Sequence, residues 1–204
     1  MSKIVFFGDS ITAGNKSPNA PLGEGYVSVL AEMFHSDTKF ENLQVINSGV
    51  NGHTVQDLLE RYKEDVVAHV PDHIIIKIGI NDAYNNYMNG QRAAPLGKYV
   101  RDYDQLIEKL KMTLPSTQIR LLTPYFICGS SDDRFYQLMS LYVHSVYAIG
   151  KKHGLRVLNV QEVFDKAVQF IPATSWAADR IHPDREGHEL IAGYVYDFLE
   201  DSLD

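Results

Sequence analysis

The chain has one cysteine, little positive charge and no long apolar run, and each shortage removes a class of protein. Its single thiol, Cys128, forbids an intramolecular disulfide and any thiolate metal cluster, and a small buried hydrophobe is the role expected for it. No stretch approaches the ~20 apolar residues that a bilayer-spanning helix needs, so no membrane span is expected. The apolar run at residues 4–7 is too short for a secretory leader core and opens directly onto Gly8-Asp9-Ser10, so the expected location is cytoplasmic. With 19 basic against 26 acidic side chains the formal charge is −7, and no basic stripe stands out, which sets nucleic acid aside as a partner. There is no P-loop, no GxGxxG fingerprint and no HExxH pair. His69 and His73 stand four apart, but Pro71 between them breaks the helix that such a metal site would require, and no metal is expected.

What is present fits an ordinary globular chain. At 204 residues and 45% hydrophobic content, one domain covering residues 1–204 around one core is expected. Short β-branched or aromatic runs at 3–8, 43–47, 73–79, 118–123 and 155–159 alternate with helical patterns at 25–35, 54–69, 98–113, 133–153 and 184–203. That alternation predicts an α/β fold with a five-stranded parallel sheet joined by helical crossovers. Within 54–69, Val55, Leu58, Leu59, Tyr62, Val66 and Val67 recur at three-to-four-residue spacing and mark the face turned to the sheet. On the 133–153 helix, Tyr136, Leu138, Tyr142, Val143, Val146 and Tyr147 form a face that is either core or a subunit contact, which leaves a homo-oligomer open. Parallel sheets bind ligands beyond the carboxyl ends of their strands, which directs attention to the loops after the first three strands.

Those loops hold chemistry. Ser10 follows the first strand at a turn, where its hydroxyl can project from the sheet edge. A hydroxyl needs a base within reach to become a nucleophile, and the base needs a partner that fixes its tautomer. Asp179-Arg180-Ile181-His182 supplies both within one turn. Taken singly, a serine there is also a helix N-cap, and D-x-x-H is also a surface turn, a cap or half of a metal site. Acyl transfer further needs donors for the oxygen that becomes negative. The Ser10 and Gly49 backbone N–H groups and the Asn81 side-chain amide are the candidates, against the plain alternatives of a turn glycine and an Asx turn.

Taken together, Gly8-Asp9-Ser10-Ile11, Gly49, Gly79-Ile80-Asn81-Asp82 and Asp179-Arg180-Ile181-His182-Pro183 resemble, in order, the four sequence blocks of the SGNH (GDSL-like) hydrolase family. The resemblance implies a three-layer α/β/α sandwich of flavodoxin-like kind. It implies Ser10 as nucleophile, Asp179 and His182 as its activating pair, Gly49 and Asn81 as oxyanion donors, Asp9 as a structural acid bracing the loop, and His188 in packing or capping. The partner it implies is a small-molecule ester, and no cofactor is needed. For the substrate, Tyr84, Tyr87 and Trp176 are the expected pocket aromatics. Their polarity, the lack of a long apolar loop and a likeness to compact acetylesterases of the family favour short acyl groups on carbohydrate or small alcohols. The rivals are a lysophospholipase or thioesterase for longer chains, and a non-catalytic carbohydrate-binding relative.

Overall fold

The first strand, β1 (Ser2–Gly8), is buried at every position from Ile4 onward, as a strand covered on both faces must be. The same holds for β3 (His73–Lys77), whose five residues are all buried. These two strands lie side by side at the centre of a five-stranded, all-parallel sheet of order β2-β1-β3-β4-β5, with β2 (Leu43–Gly49), β4 (Gln118–Leu122) and β5 (Arg156–Leu158) completing it. The edge strands β2 and β5 are only partly covered. The computed structural model describes residues 2–40, 42–90 and 93–200.

Eight α-helices occur among the described residues: α1 (Ser10–Ala13), α2 (Tyr26–Ser36), α3 (Val55–Asp65), α4 (Ile80–Met88), α5 (Ala93–Thr113), α6 (Arg134–His153), α7 (Val160–Ala167) and α8 (Arg185–Glu200). The chain moves from β1 to β2 in one direction and from β2 through β3 to β5 in the other. Right-handed crossovers therefore put α2 on one face of the sheet and α3, α5 and α6 on the other. The packing agrees, since α2 meets α8 while α3 meets α5 and α5 meets α6. The three-layer α/β expectation is met. The strand order reverses between β1 and β3, so the crevice at their carboxyl ends is where a ligand site is expected.

Three helices were not foreseen, the single turn α1 among them. Residues 80–88, read as loop, form α4: Ile80, Ala83 and Asn86 recur on its buried side, and Asn86 Nδ2 donates to the Tyr142 hydroxyl of α6 at 3.2 Å. Asparagine is a weak helix former, and here burial against α5 and α6 outweighs propensity. α7 is likewise new, capped by the Asn159 side chain and burying Val160, Val163 and Phe164. The helix expected over 54–69 stops at Asp65, and a single 3-10 turn (Val67–His69) ends it at Val70, which adopts the left-handed conformation. On α6, Leu138, Tyr142, Val143 and Val146 are buried in the core, Tyr136 packs against it, and Tyr147 is 42% exposed. No helix among the described residues is long and apolar enough to cross a membrane.

Candidate active site

The loop after β1 folds at once into the single turn α1. Asp9, fully buried, caps it by accepting the Ile11 N–H on Oδ1 at 3.0 Å. Ser10 is the first residue of that turn, so its own N–H has no intrahelical acceptor. Its Oγ lies 3.0 Å from His182 Nε2, although 172 positions separate the two residues in the chain. His182 Nδ1 lies in turn 2.6 Å from Asp179 Oδ2. With Nδ1–H donating to the carboxylate, Nε2 is left as the acceptor for the serine hydroxyl.

The turn carrying Asp179 and His182 is held from several sides. Asp179 Oδ1 accepts the N–H groups of Ile181 at 2.9 Å and His182 at 2.8 Å. Partial burial opposes ionisation of Asp179, but the His182 ring and these two N–H groups outweigh it and hold the carboxyl below its ordinary range. Arg180 adopts φ +64°, its carbonyl accepts the Ile127 N–H at 2.9 Å, and its guanidinium lies 5.4 Å over the Phe126 ring. The His182 and Asp179 side chains remain 55% and 53% exposed, so the site is open to solvent and to a large substrate.

Of the three expected oxyanion donors, two keep a hydrogen with no acceptor among the described residues and one does not. Asn81, in the first turn of α4, donates from Nδ2 to the His53 carbonyl at 2.9 Å, which fixes the amide and leaves its second hydrogen available. Gly49 corrects the expectation, because its N–H is turned inward and donated to Asn47 Oδ1 at 2.9 Å. The missing side chain there serves packing: a Cβ on Gly49 would lie 2.2 Å from the Ala13 nitrogen of α1. Asn47, buried, completes the brace by donating to the Thr12 carbonyl at 2.8 Å and the Leu22 carbonyl at 2.7 Å. Three residues further on, Gly52 is exposed at φ +78°, and its N–H has no acceptor among the described residues. It sits next to His53, whose carbonyl anchors Asn81.

The expected pocket aromatics divide. Tyr84 is 46% exposed and lies one turn beyond Asn81 on α4, edge-on to Phe135. Tyr87 and Trp176 pack against the hydrophobic core, with Trp176 edge-on to Phe164 and its Nε1 buried. Both are partly buried, with one side turned to the core. His188 Nδ1 accepts the Tyr26 N–H at 3.1 Å, capping α2 from α8. Burial, reinforced by the positive charge of Lys77, pushes its pKa down to about 4. Among the described residues no group of three or more His, Cys, Asp or Glu side chains is disposed to hold a metal ion.

A buried lysine and a partly buried carboxyl near the site have roles that the sequence reading did not assign. Lys77, the last residue of β3 and fully buried, brings Nζ to 3.7 Å from Asp9 Oδ1 and to 4.8 Å from the centre of the Tyr125 ring. Burial lowers its pKa, and Asp9 opposes that shift. The signal was a lone lysine in the apolar run His73-Ile74-Ile75-Ile76-Lys77-Ile78. Removing one partner of such a pair strands the other, so Lys77→Ala is expected to cost about 3–5 kcal/mol in urea denaturation. Lys77→Met combined with Asp9→Asn should recover most of that loss.

Asp82 is the second. Its carboxylate accepts the Val55 N–H at the start of α3, with both oxygens 3.2–3.3 Å away. Burial pushes its pKa up to about 7, against the Val55 bond and helped by Asp9 and Asp57. A carboxyl whose folded pKa is raised contributes stability that is present below its unfolded value and is lost as pH rises through the folded one. Between pH 5 and 8 the protein is therefore expected to lose about 2 kcal/mol relative to Asp82→Asn, read from denaturant midpoints of the two proteins at each pH.

Similarity to known proteins agrees with this geometry. Residues 6–190 match the GDSL-like Lipase/Acylhydrolase family. An acetylxylan esterase of Geobacillus stearothermophilus is 32% identical over 202 residues, covering 93% of this chain and 90% of that protein. The crystal structure of that organism's acetylxylan esterase Axe2 superposes with a TM-score of 0.87 at 30% identity, covering 98% of this chain and 93% of that one. Catalytic mutants of Axe2 replace a serine, an aspartate and a histidine. LAE5, an alpha/beta hydrolase enzyme from the metagenome of Lake Arreo, gives a TM-score of 0.88 at 30% identity, covering 100% of this chain and 96% of its own. The fold is thus shared with solved hydrolases over nearly the full length, and the chain belongs to the GDSL-like lipase/acylhydrolase family of ester-bond hydrolases.

Proposed function

We propose that the protein is a serine esterase that removes short acyl groups, acetyl above all, from carbohydrate or small alcohols through an acyl-enzyme. The observation that carries the reading is the unbroken run of hydrogen bonds from Ser10 Oγ through the His182 ring to Asp179. His182 Nε2 takes the hydroxyl proton as Ser10 Oγ attacks the ester carbonyl. The tetrahedral oxygen is received by the Ser10 N–H, the Gly52 N–H and the free Asn81 amide hydrogen, with Gly52 standing where Gly49 was expected. His182 then hands its proton to the departing alkoxide. Water, deprotonated by the same nitrogen, attacks the acyl carbon, and the carboxylic acid leaves as Ser10 recovers its proton. Asp179 holds the imidazole orientation and balances its positive charge.

The acetyl preference draws on the acetylxylan esterase relative, and the open site around His182 suits an acetyl group carried on a larger sugar chain. The test is a series of p-nitrophenyl esters from acetyl upward, alongside acetylated xylo-oligosaccharides. The expected result is a kcat/KM maximum at two to four carbons and acetate release from the oligosaccharides. A maximum at eight carbons or longer would instead favour a lysophospholipase or thioesterase.

A further inference from the structure

Arg61 is the most heavily engaged side chain near the site that the proposed chemistry does not use. It lies on α3, only 14% of its side chain is exposed, and its planar head rests 4.6 Å over the Phe7 ring of β1. Its nitrogens reach three separate segments. Nη2 donates to the Gly8 carbonyl at 2.9 Å, at the end of β1 and two residues before Ser10. Nη1 donates to the Ser48 carbonyl at 2.9 Å, near the end of β2, and also pairs with Asp65. Nε donates to His53 Nδ1 at 3.0 Å. Gly8 and Gly49 are partners across β1 and β2, and the Gly8 carbonyl also accepts the Val50 N–H at 3.1 Å.

Two of the groups that Arg61 holds, the Gly8 carbonyl and the His53 ring, thus flank donors of the proposed oxyanion site, and the Ser48 carbonyl ties in the end of β2. Gly8 leads into Ser10; His53 follows Gly52, and its carbonyl fixes Asn81. The geometry points to Arg61 as a positioning residue that locks the loops after β1 and β2 together, so that the three donors aim at one oxygen. This inference rests on the ester-hydrolase reading of the site. A guanidinium serves three acceptors in one plane at fixed angles, whereas an ammonium on a flexible stem cannot hold all three. Small misplacements of reacting groups cost rate steeply, about 10²-fold for 1 Å.

The test compares wild type, Arg61→Lys, Asn81→Ala and the double variant on p-nitrophenyl acetate, with active sites counted by fluorophosphonate titration to its end point. Counting removes any loss that comes from unfolded protein. Arg61→Lys is expected to lower kcat per titrated site by about 10- to 100-fold with KM within about twofold. On the Asn81→Ala background the same change should cost threefold or less, because one of the donors it aims is already gone. An Arg61→Lys kcat per site within twofold of wild type would overturn the inference, as would a full multiplicative loss in the double variant. Arg61→Met serves as a second variant and should lie at or below Arg61→Lys in kcat per site; a higher value counts against the inference. Failure of the underlying reading looks different: wild type would then take no label on Ser10, or Ser10→Ala would keep its activity.

Discussion

Ser10→Ala is expected to lower kcat on p-nitrophenyl acetate by about 10⁵–10⁶, and His182→Ala by a similar factor, with the double variant no worse than either alone. The non-additivity follows from the single hydrogen bond that joins the two groups. Without Oγ there is no proton for Nε2 to take, and without Nε2 the hydroxyl stays protonated at neutral pH. Residual turnover above the uncatalysed rate is expected in all three variants, because the oxyanion donors do not depend on either side chain. Steady-state rates on protein purified free of host esterases check this. A loss below tenfold in Ser10→Ala would mean that another nucleophile does the work.

Asp179→Asn is expected to lower kcat by about 10⁴ while leaving KM within a few-fold. The amide oxygen can still accept the Ile181 and His182 N–H groups, so the turn survives. The group facing His182 Nδ1 becomes an NH2 donor, however, and it is satisfied only if Nδ1 accepts. The ring proton then moves to Nε2, and the nitrogen beside Ser10 can no longer take a proton. Wild-type Asp179 keeps its charge into the acid range, since the His182 ring and its two N–H bonds hold its pKa down. Thermal denaturation of the variant near the wild-type midpoint, together with the rate loss, would separate the tautomer effect from unfolding.

The sheet could be read from the chain because it follows from strong local patterns, whereas the meeting of Ser10 with His182 and Asp179 came from the resemblance of four blocks that are each weak alone. Near-continuous apolar runs mark doubly covered strands, and parallel strands bring successive carboxyl-end loops to one edge. What escaped was decided by tertiary contact. In Asn47-Ser48-Gly49-Val50-Asn51-Gly52 two glycines stand three apart, and nothing local distinguishes the one that admits the α1 backbone from the one whose N–H has no acceptor among the described residues. α4 was hidden by its asparagines, which are held helical by burial of Ile80 and Ala83. Arg61 stands on a helix amid other charged residues and looks like part of a solvated face, yet it is mostly covered because β1, β2 and His53 converge on it. Trp176 and Tyr87 were placed in a pocket for their aromatic chemistry, and one side of each packs against the core.

The most direct measurement is peptide mapping after reaction with a fluorophosphonate. One label per chain is predicted on the hydroxyl of Ser10, absent in Ser10→Ala and formed at least 10³-fold more slowly in His182→Ala. A label on any other residue, or a His182→Ala protein labelled at the wild-type rate, would contradict the account.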